Sequence, residues 1–202
     1  MNSITIATET EISFLQKLRS KTSASHSRLE LLPISAAIIS PKITPKEYAA
    51  YVSLMYAIVR DTEEFVFPKV AQIITDIDSR CKLSHLNSDS EAIQFPVHKA
   101  KTSLAQQWEI PFALGILYVV EGSSLGGRVI LQNITKTLGY TEENGARYFS
   151  GYGNTTGSQW KKFLDMLSDY ERDYGQSDQI IAGATFAFDT IYEHLATFSH
   201  AD

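Results

Sequence analysis

Apolar residues recur at spacings of three and four along most of this chain, the period of an α-helix that buries one face. From about 10 to 32, the set Leu15, Leu18, Thr22, Ser25, His26 and Leu29 falls on one side, and Pro33 sets the stop. Thr44-Pro45-Lys46-Glu47 is a helix start, with Thr44 as cap, Pro45 at the first helical position and Glu47 closing a capping box. The helix that follows turns Tyr48, Tyr51, Val52, Met55, Ile58, Val59 and Thr62 inward until Pro68 ends or kinks it. Helices are predicted over about 69–81 and 97–107. The stretch 84–96, rich in Ser, Asn and Asp, reads as a short helix or loop.

A long helix is predicted over about 111–138, capped by Gly139. Thr141-Glu142-Glu143 starts a short one, and Gly151, Gly153 and Gly157 mark a loop. Ser158 caps a helix over about 159–174, ended by Gly175, and Ser177-Asp178 opens the last, running to about 198. No segment alternates in the manner of a strand. The prediction is an all-α fold of roughly seven to nine helices, a loose arm over 1–10 and a single domain over 11–202.

Composition narrows the picture. A chain of 202 residues, 44% hydrophobic, suits one domain with a substantial core. A net charge of −5 supplies no basic excess to neutralise phosphates, which argues against general nucleic-acid affinity. Cys81 is the sole cysteine, so no intrachain disulfide can form; with no motif around it, it reads as buried and inert. The polar first ten residues lack a signal-peptide pattern, and a cytoplasmic location is the expectation. The longest apolar run, 110–120, stops at Glu121 and is too short to span a bilayer.

The most informative segment is PFALGILYVVEGSSLGGRVILQNITKTLG. Gly115, Gly122, Gly126 and Gly127 lie inside its predicted helix, and each costs about 1 kcal/mol relative to alanine. Gly115, Gly122 and Gly126 share a face. A face without side chains serves either a close helix crossing or a flat ligand laid against the backbone, with Gly126-Gly127 permitting a kink. His26 lies on the apolar side of the first helix. Neutral imidazole is a common iron ligand, and Glu30, one turn on, can hold Nδ1 and leave Nε2 free. Arg19, two turns before His26, can meet an anionic group on the same ligand; Lys161 and Lys162 are further cations for that task. For each, an ordinary core or surface role remains open. His85, His98, His194 and His200 show no metal spacing.

Taken together, LRSKTSASHSRLE, LYVVEGSSLGGRVI and RYFSGYGNTTGSQWKKFLDML, continuing into ATFAFDTIYEHL, resemble the bacterial biliverdin-producing heme oxygenases over about 14–198. The resemblance implies heme b, both substrate and cofactor, sandwiched between a proximal and a glycine-rich distal helix. It implies His26 as proximal iron ligand, with Glu30 as its partner and Thr22 in the same motif. Gly122, Gly126 and Gly127 belong to the distal helix, Arg19 pairs with a propionate, and Lys161 is a second candidate for that pairing. Ring opening with O2 gives biliverdin, CO and ferrous iron, on electrons from a ferredoxin, flavodoxin or NAD(P)H-linked reductase. Animal-type members carry an acid directly after the first distal glycine. Here Ser123 stands there, and Ser123 and Arg128 are the polar groups left to organise water. Two alternatives accompany this reading: a heme-binding protein that stores, transfers or senses heme, and a helical interaction protein without heme.

Overall fold

The computed structural model describes residues 13–198, and the expected arm over 1–10 lies outside them. Among the described residues the chain is helical with no named strand. α1 (Phe14–Glu30) starts at a Ser13–Gln16 capping box and is followed by the short α2 (Pro33–Ala37). α3 (Pro45–Asp61) begins at the Thr44–Glu47 box that the sequence signals. A π-helical turn over Thr62–Val66 leads into α4 (Phe67–Val70), where Pro68 sits in the first turn. α5 (Leu83–Ala92) precedes α6 (Ile110–Gly122) and α7 (Ser124–Leu138), and α8 (Thr156–Tyr174) and α9 (Ser177–Ala196) close the fold.

Four predicted helices fall differently. Over 69–81 the chain makes turns and a 3-10 segment, Ile77–Arg80, because Arg80 folds back onto Asp76 at 2.8 Å and draws the backbone round. No helix forms over 97–107. Arg60 of α3 donates to the carbonyls of His98, Lys99 and Ala100, and Asp61 accepts from the Thr102 N–H and hydroxyl, so the backbone groups of that loop are already engaged. Thr141 exchanges backbone bonds with Asn144 in a tight turn in place of a short helix. α8 starts at Thr156, which puts Ser158 inside the helix. Cys81, expected to be buried, is exposed.

α6 is the spine of the core. Ala113, Leu114, Ile116 and Leu117 are completely buried, and each leucine or isoleucine of this kind contributes about 1.5–3 kcal/mol. α6 crosses α9 where two bare positions meet: a Cβ on Gly115 would lie 2.7 Å from the Ala184 nitrogen, and Gly183 faces the Phe112 backbone. α1 runs alongside α9 in the same direction, since Lys17 pairs with Asp178 and Arg28 with Asp189 at equal offsets. The apolar run does not end its helical course at Glu121. Ile110–Leu138 is, among the described residues, long and apolar enough to cross a membrane by length and composition. Its close crossing with α9 and the ion pairs of its buried Glu121 are features of a core helix.

Candidate functional site

α1 divides its polar residues between two sides. Leu18 and Thr22 point inward, and the Thr22 hydroxyl donates to the Leu18 carbonyl at 2.9 Å. Arg19, His26 and Glu30 point outward. The His26 side chain is 55% exposed and meets the Phe188 ring of α9 edge-on at 5.5 Å. The Glu30 carboxylate stands 3.6 Å from Nδ1, close enough to orient the imidazole and slightly too far for a hydrogen bond. Nε2 makes no bond to any described residue, so the nitrogen a metal needs is free.

The helix over 110–138 breaks at Ser123, one turn earlier than the Gly126-Gly127 pair. The Ser123 N–H reaches Val119 and Gly126 bonds back only three residues, a tightened turn at the junction. The four glycines then separate by use. Gly115 is closed against α9. A Cβ on Gly127 would stand 2.6 Å from the Phe149 carbonyl, so this glycine admits the 3-10 segment Arg147–Ser150 rather than a ligand-sized object. Gly122 would touch the tip of Trp160 at 3.4 Å, and Gly126 meets nothing within 4 Å. Leu125 and Val129 are 48% and 61% exposed. Gly122, Leu125, Gly126 and Val129 share one side of the helix by spacing. The result is an apolar strip, uncovered at Leu125, Gly126 and Val129 and bounded by Trp160 at Gly122.

Arg19 connects this limb to α1. Burial raises the Tyr118 phenol above its ordinary range and the Arg19 charge pulls it back, so Arg19 lies within electrostatic reach of Tyr118, which stands one turn before Gly122. Tyr118 packs on Trp160 of α8 at 5.4 Å, and Trp160 covers Gly122. Tyr118, Trp160 and Gly122 thus form one continuous wall from α6 and α8, with the Arg19 charge of α1 in electrostatic reach of it.

Other sequence candidates lie further from it in role. Ser123 is exposed and donates to the Val120 carbonyl at 2.7 Å. Arg128 is exposed and reaches Asn154 at 3.3 Å. Lys161 is paired with Asp165 one turn on, and Lys162 with Asp76.

Sequence reading missed what lies behind the break. Arg80, Lys82 and Glu121 are 1%, 8% and 2% exposed. Glu121 receives Arg80 at 2.6 Å, the Tyr152 hydroxyl at 2.7 Å and Lys82 at 3.3 Å. The signal was present: a carboxylate in an apolar helix between Val120 and Gly122 must find cationic partners to be buried. The fold also brings His98 and His194 to 4.9 Å between ring centres, a pairing invisible in their spacing. No group of three metal-ligating side chains occurs among the described residues.

The family model for heme oxygenase matches residues 12–197. Among solved structures, the heme oxygenase of Neisseria meningitidis, determined with NO and CO bound, superposes with a TM-score of 0.75 at 19% identity over 95% of this chain and 96% of that one. The heme oxygenase of Leptospira interrogans gives 0.73 at 14% identity, covering 92% and 100%. Heme oxygenase-1 of the cyanobacterium Synechocystis, solved in complex with heme, gives 0.73 at 13% identity, covering 92% of each. Among curated proteins, none matches by sequence.

Proposed function

This chain belongs to the heme oxygenase family, and on that premise we propose that it binds heme between α1 and the α6–α7 limb and cleaves it. The observation that carries the reading is the strip at Gly122 and Gly126. Exposed Leu125 and Val129 flank bare backbone there, beside the Tyr118–Trp160 wall that the Arg19 charge of α1 reaches. An uncovered apolar strip of this kind fits a flat apolar ligand. The donor set fits as well: a half-exposed imidazole on α1 with Nε2 free.

Heme, when bound, supplies both the ring that is opened and the iron at which O2 reacts, giving biliverdin, CO and ferrous iron on electrons from a ferredoxin, flavodoxin or NAD(P)H-linked reductase. His26 holds the iron through Nε2, and Glu30 restrains the imidazole from the Nδ1 side. Arg19 pairs with a propionate, with Tyr118 in electrostatic reach of its charge. Lys161 reaches a second carboxylate only by leaving Asp165. Gly126 would leave space for a small molecule beside the bound group, and Gly122 would let the Trp160 wall stand close to it. Thr22 and Gly127 act through packing, which keeps α1 and α7 in place. Ser123 and Arg128 are polar groups at the rim of the strip, placed to hold water.

Titration of the wild-type protein and His26→Ala with hemin tests the assignment. The wild type is expected to develop a sharp Soret band and, with reductant and air, to yield a bilin and free iron. His26→Ala is expected to bind hemin at least tenfold more weakly, with an altered band, the scale of a lost ligand in a metal site. An identical titration for the two proteins would remove His26 from the site. A second reading, heme binding without cleavage, is favoured by the Ser123 hydroxyl being turned onto Val120. A Soret band that survives reductant and air unchanged would select it.

A further inference from the structure

The buried cluster behind the break has no part in the assignment above, yet it reaches the same junction. Lys82 Nζ donates to Glu121 at 3.3 Å and to the Tyr152 hydroxyl at 2.7 Å. These use two of the three N–H groups of an ammonium. Lys82 also lines a cavity of about 40 Å³ together with Ser123, Ser124, Gly127, Tyr51 and Tyr148. Such a volume accommodates about two water molecules; the wall is mostly apolar, with Met55, Ile130 and Phe149, and Lys82, the two serines and the two tyrosines are the polar groups a water would meet there. Ser123 already donates to Val120, so its oxygen is available as an acceptor, and Tyr148 faces it.

We propose that Lys82 is a positioning residue for heme cleavage: through one water in this cavity its ammonium holds the Ser123 hydroxyl at the edge of the open strip. The inference rests on the heme oxygenase reading. It gives the buried cluster a purpose beyond packing, because a buried cation is costly unless its bonds are used. The groups facing Lys82 are Glu121 from α6, Arg80, Cys81 and Glu63 from the turns around it, His85 from α5, and Tyr152, Tyr148 and Tyr51. Burial lowers its hold on its proton, Arg80 adds to this, and Glu121 and Glu63 oppose it, leaving the amine easier to deprotonate than an ordinary lysine. Removing that proton removes the charge and the third donor together, so water at Ser123 depends on the protonation of Lys82.

The test begins on ligand-free protein labelled at lysine. The Lys82 resonance is expected to titrate below the other lysines, and a water contact to the Ser123 side chain, seen by nuclear Overhauser effect, is expected in the wild type and lost in Lys82→Met. With hemin and reductant, wild-type bilin formation should fall at alkaline pH with the Lys82 midpoint. Lys82→Arg, whose charge does not titrate there, should keep most of the rate and lose that limb. Lys82→Met should be about tenfold slower, with hemin affinity within about twofold. Lys82→Met/Ser123→Ala should be no slower than the worse single variant, the mark of two residues acting as one unit. Wild-type rate and profile in Lys82→Met, or effects that add in the double variant, would overturn the proposal. If even the wild type takes up no hemin, the oxygenase reading falls by itself. The water contact in ligand-free Lys82→Met then decides the placement: its loss supports it and its retention overturns it. Should Lys82→Met not fold, Lys82→Arg carries the test through the alkaline limb.

Discussion

Gly115 and Gly126 sit on the same side of one nearly continuous helix, yet the first is shut against a neighbouring backbone and the second faces nothing within 4 Å. Two helices that cross touch closely at one place and then diverge. α9 seals the face at Gly115, where Gly183 makes the reciprocal approach, and no longer covers it eleven residues on. Bare backbone therefore has two uses in one element. At the crossing it lets two helices into contact, which stabilises the fold. At the strip it stabilises nothing in the ligand-free chain and costs about 1 kcal/mol per glycine. The uncompensated cost marks the functional end.

Between the two ends stands Glu121, and the largest effect is expected there. Glu121→Ala leaves Arg80 and Lys82 buried with their shared acceptor removed. Breaking such a cluster costs about 3–5 kcal/mol, which lowers the melting temperature by roughly 10 °C or more in a chain of this size. Thermal unfolding monitored by circular dichroism measures it. A shift of only a degree or two would mean that the cluster does not anchor the junction and that the closed and open ends are held independently.

At the closed end, Gly115→Ala is expected to lose about 2 kcal/mol. A methyl there meets the backbone at Ala184 and Gly183, which cannot rotate away. Overpacking of this kind costs about 1–3 kcal/mol, and the helix propensity gained recovers up to about 1. The melting temperature should fall by about 4–8 °C. Hemin affinity of the folded fraction should stay near wild type, because this glycine is not on the strip. A stable Gly115→Ala would show that α6 and α9 can separate at little cost.

How much of this could be read from residues alone depended on whether the determining partner was near in sequence. The capping box at Thr44 is four residues long and formed as expected. The stops at Gly139 and Gly175 needed only a left-handed backbone, and both have one. The spacing of His26, Glu30 and Arg19 is defined by the helical period and was legible. The same period puts His26 on the apolar side with Leu18 and Thr22, yet it stands exposed, because only those two are covered by neighbouring elements. The loop over 97–107 was not, because its backbone is held by Arg60 and Asp61 some forty residues earlier. Glu121 announced a need for partners but could not name Arg80 and Lys82. The glycine period correctly gave a shared face, and only the path of α9 decides where that face is closed. The break at Ser123 escaped for the same reason. Its own dihedrals, φ −60 and ψ −26, remain helical, and the change lies in how the surrounding loops pack.

The smallest effect on stability is the sharpest for function. Gly126→Ala adds a methyl where no protein atom lies within 4 Å and replaces the poorer helix former of the two. In the ligand-free protein the variant should therefore be more stable by about 0.5–1 kcal/mol, with a melting temperature about 1–4 °C higher. The same methyl projects into the space that the proposed ligand and O2 occupy. Intrusion into a fitted space costs about 1–3 kcal/mol, so hemin affinity or the rate of bilin formation should drop about tenfold or more. The opposite signs are the diagnostic. A structural glycine gives instability when filled, as at Gly115, and a solvent-facing glycine of no consequence gives a small gain in stability alone. Only a glycine kept bare for a ligand trades stability gained for function lost. A Gly126→Ala protein that is both more stable and fully active would place the ligand elsewhere and reduce the open strip to an ordinary exposed helix.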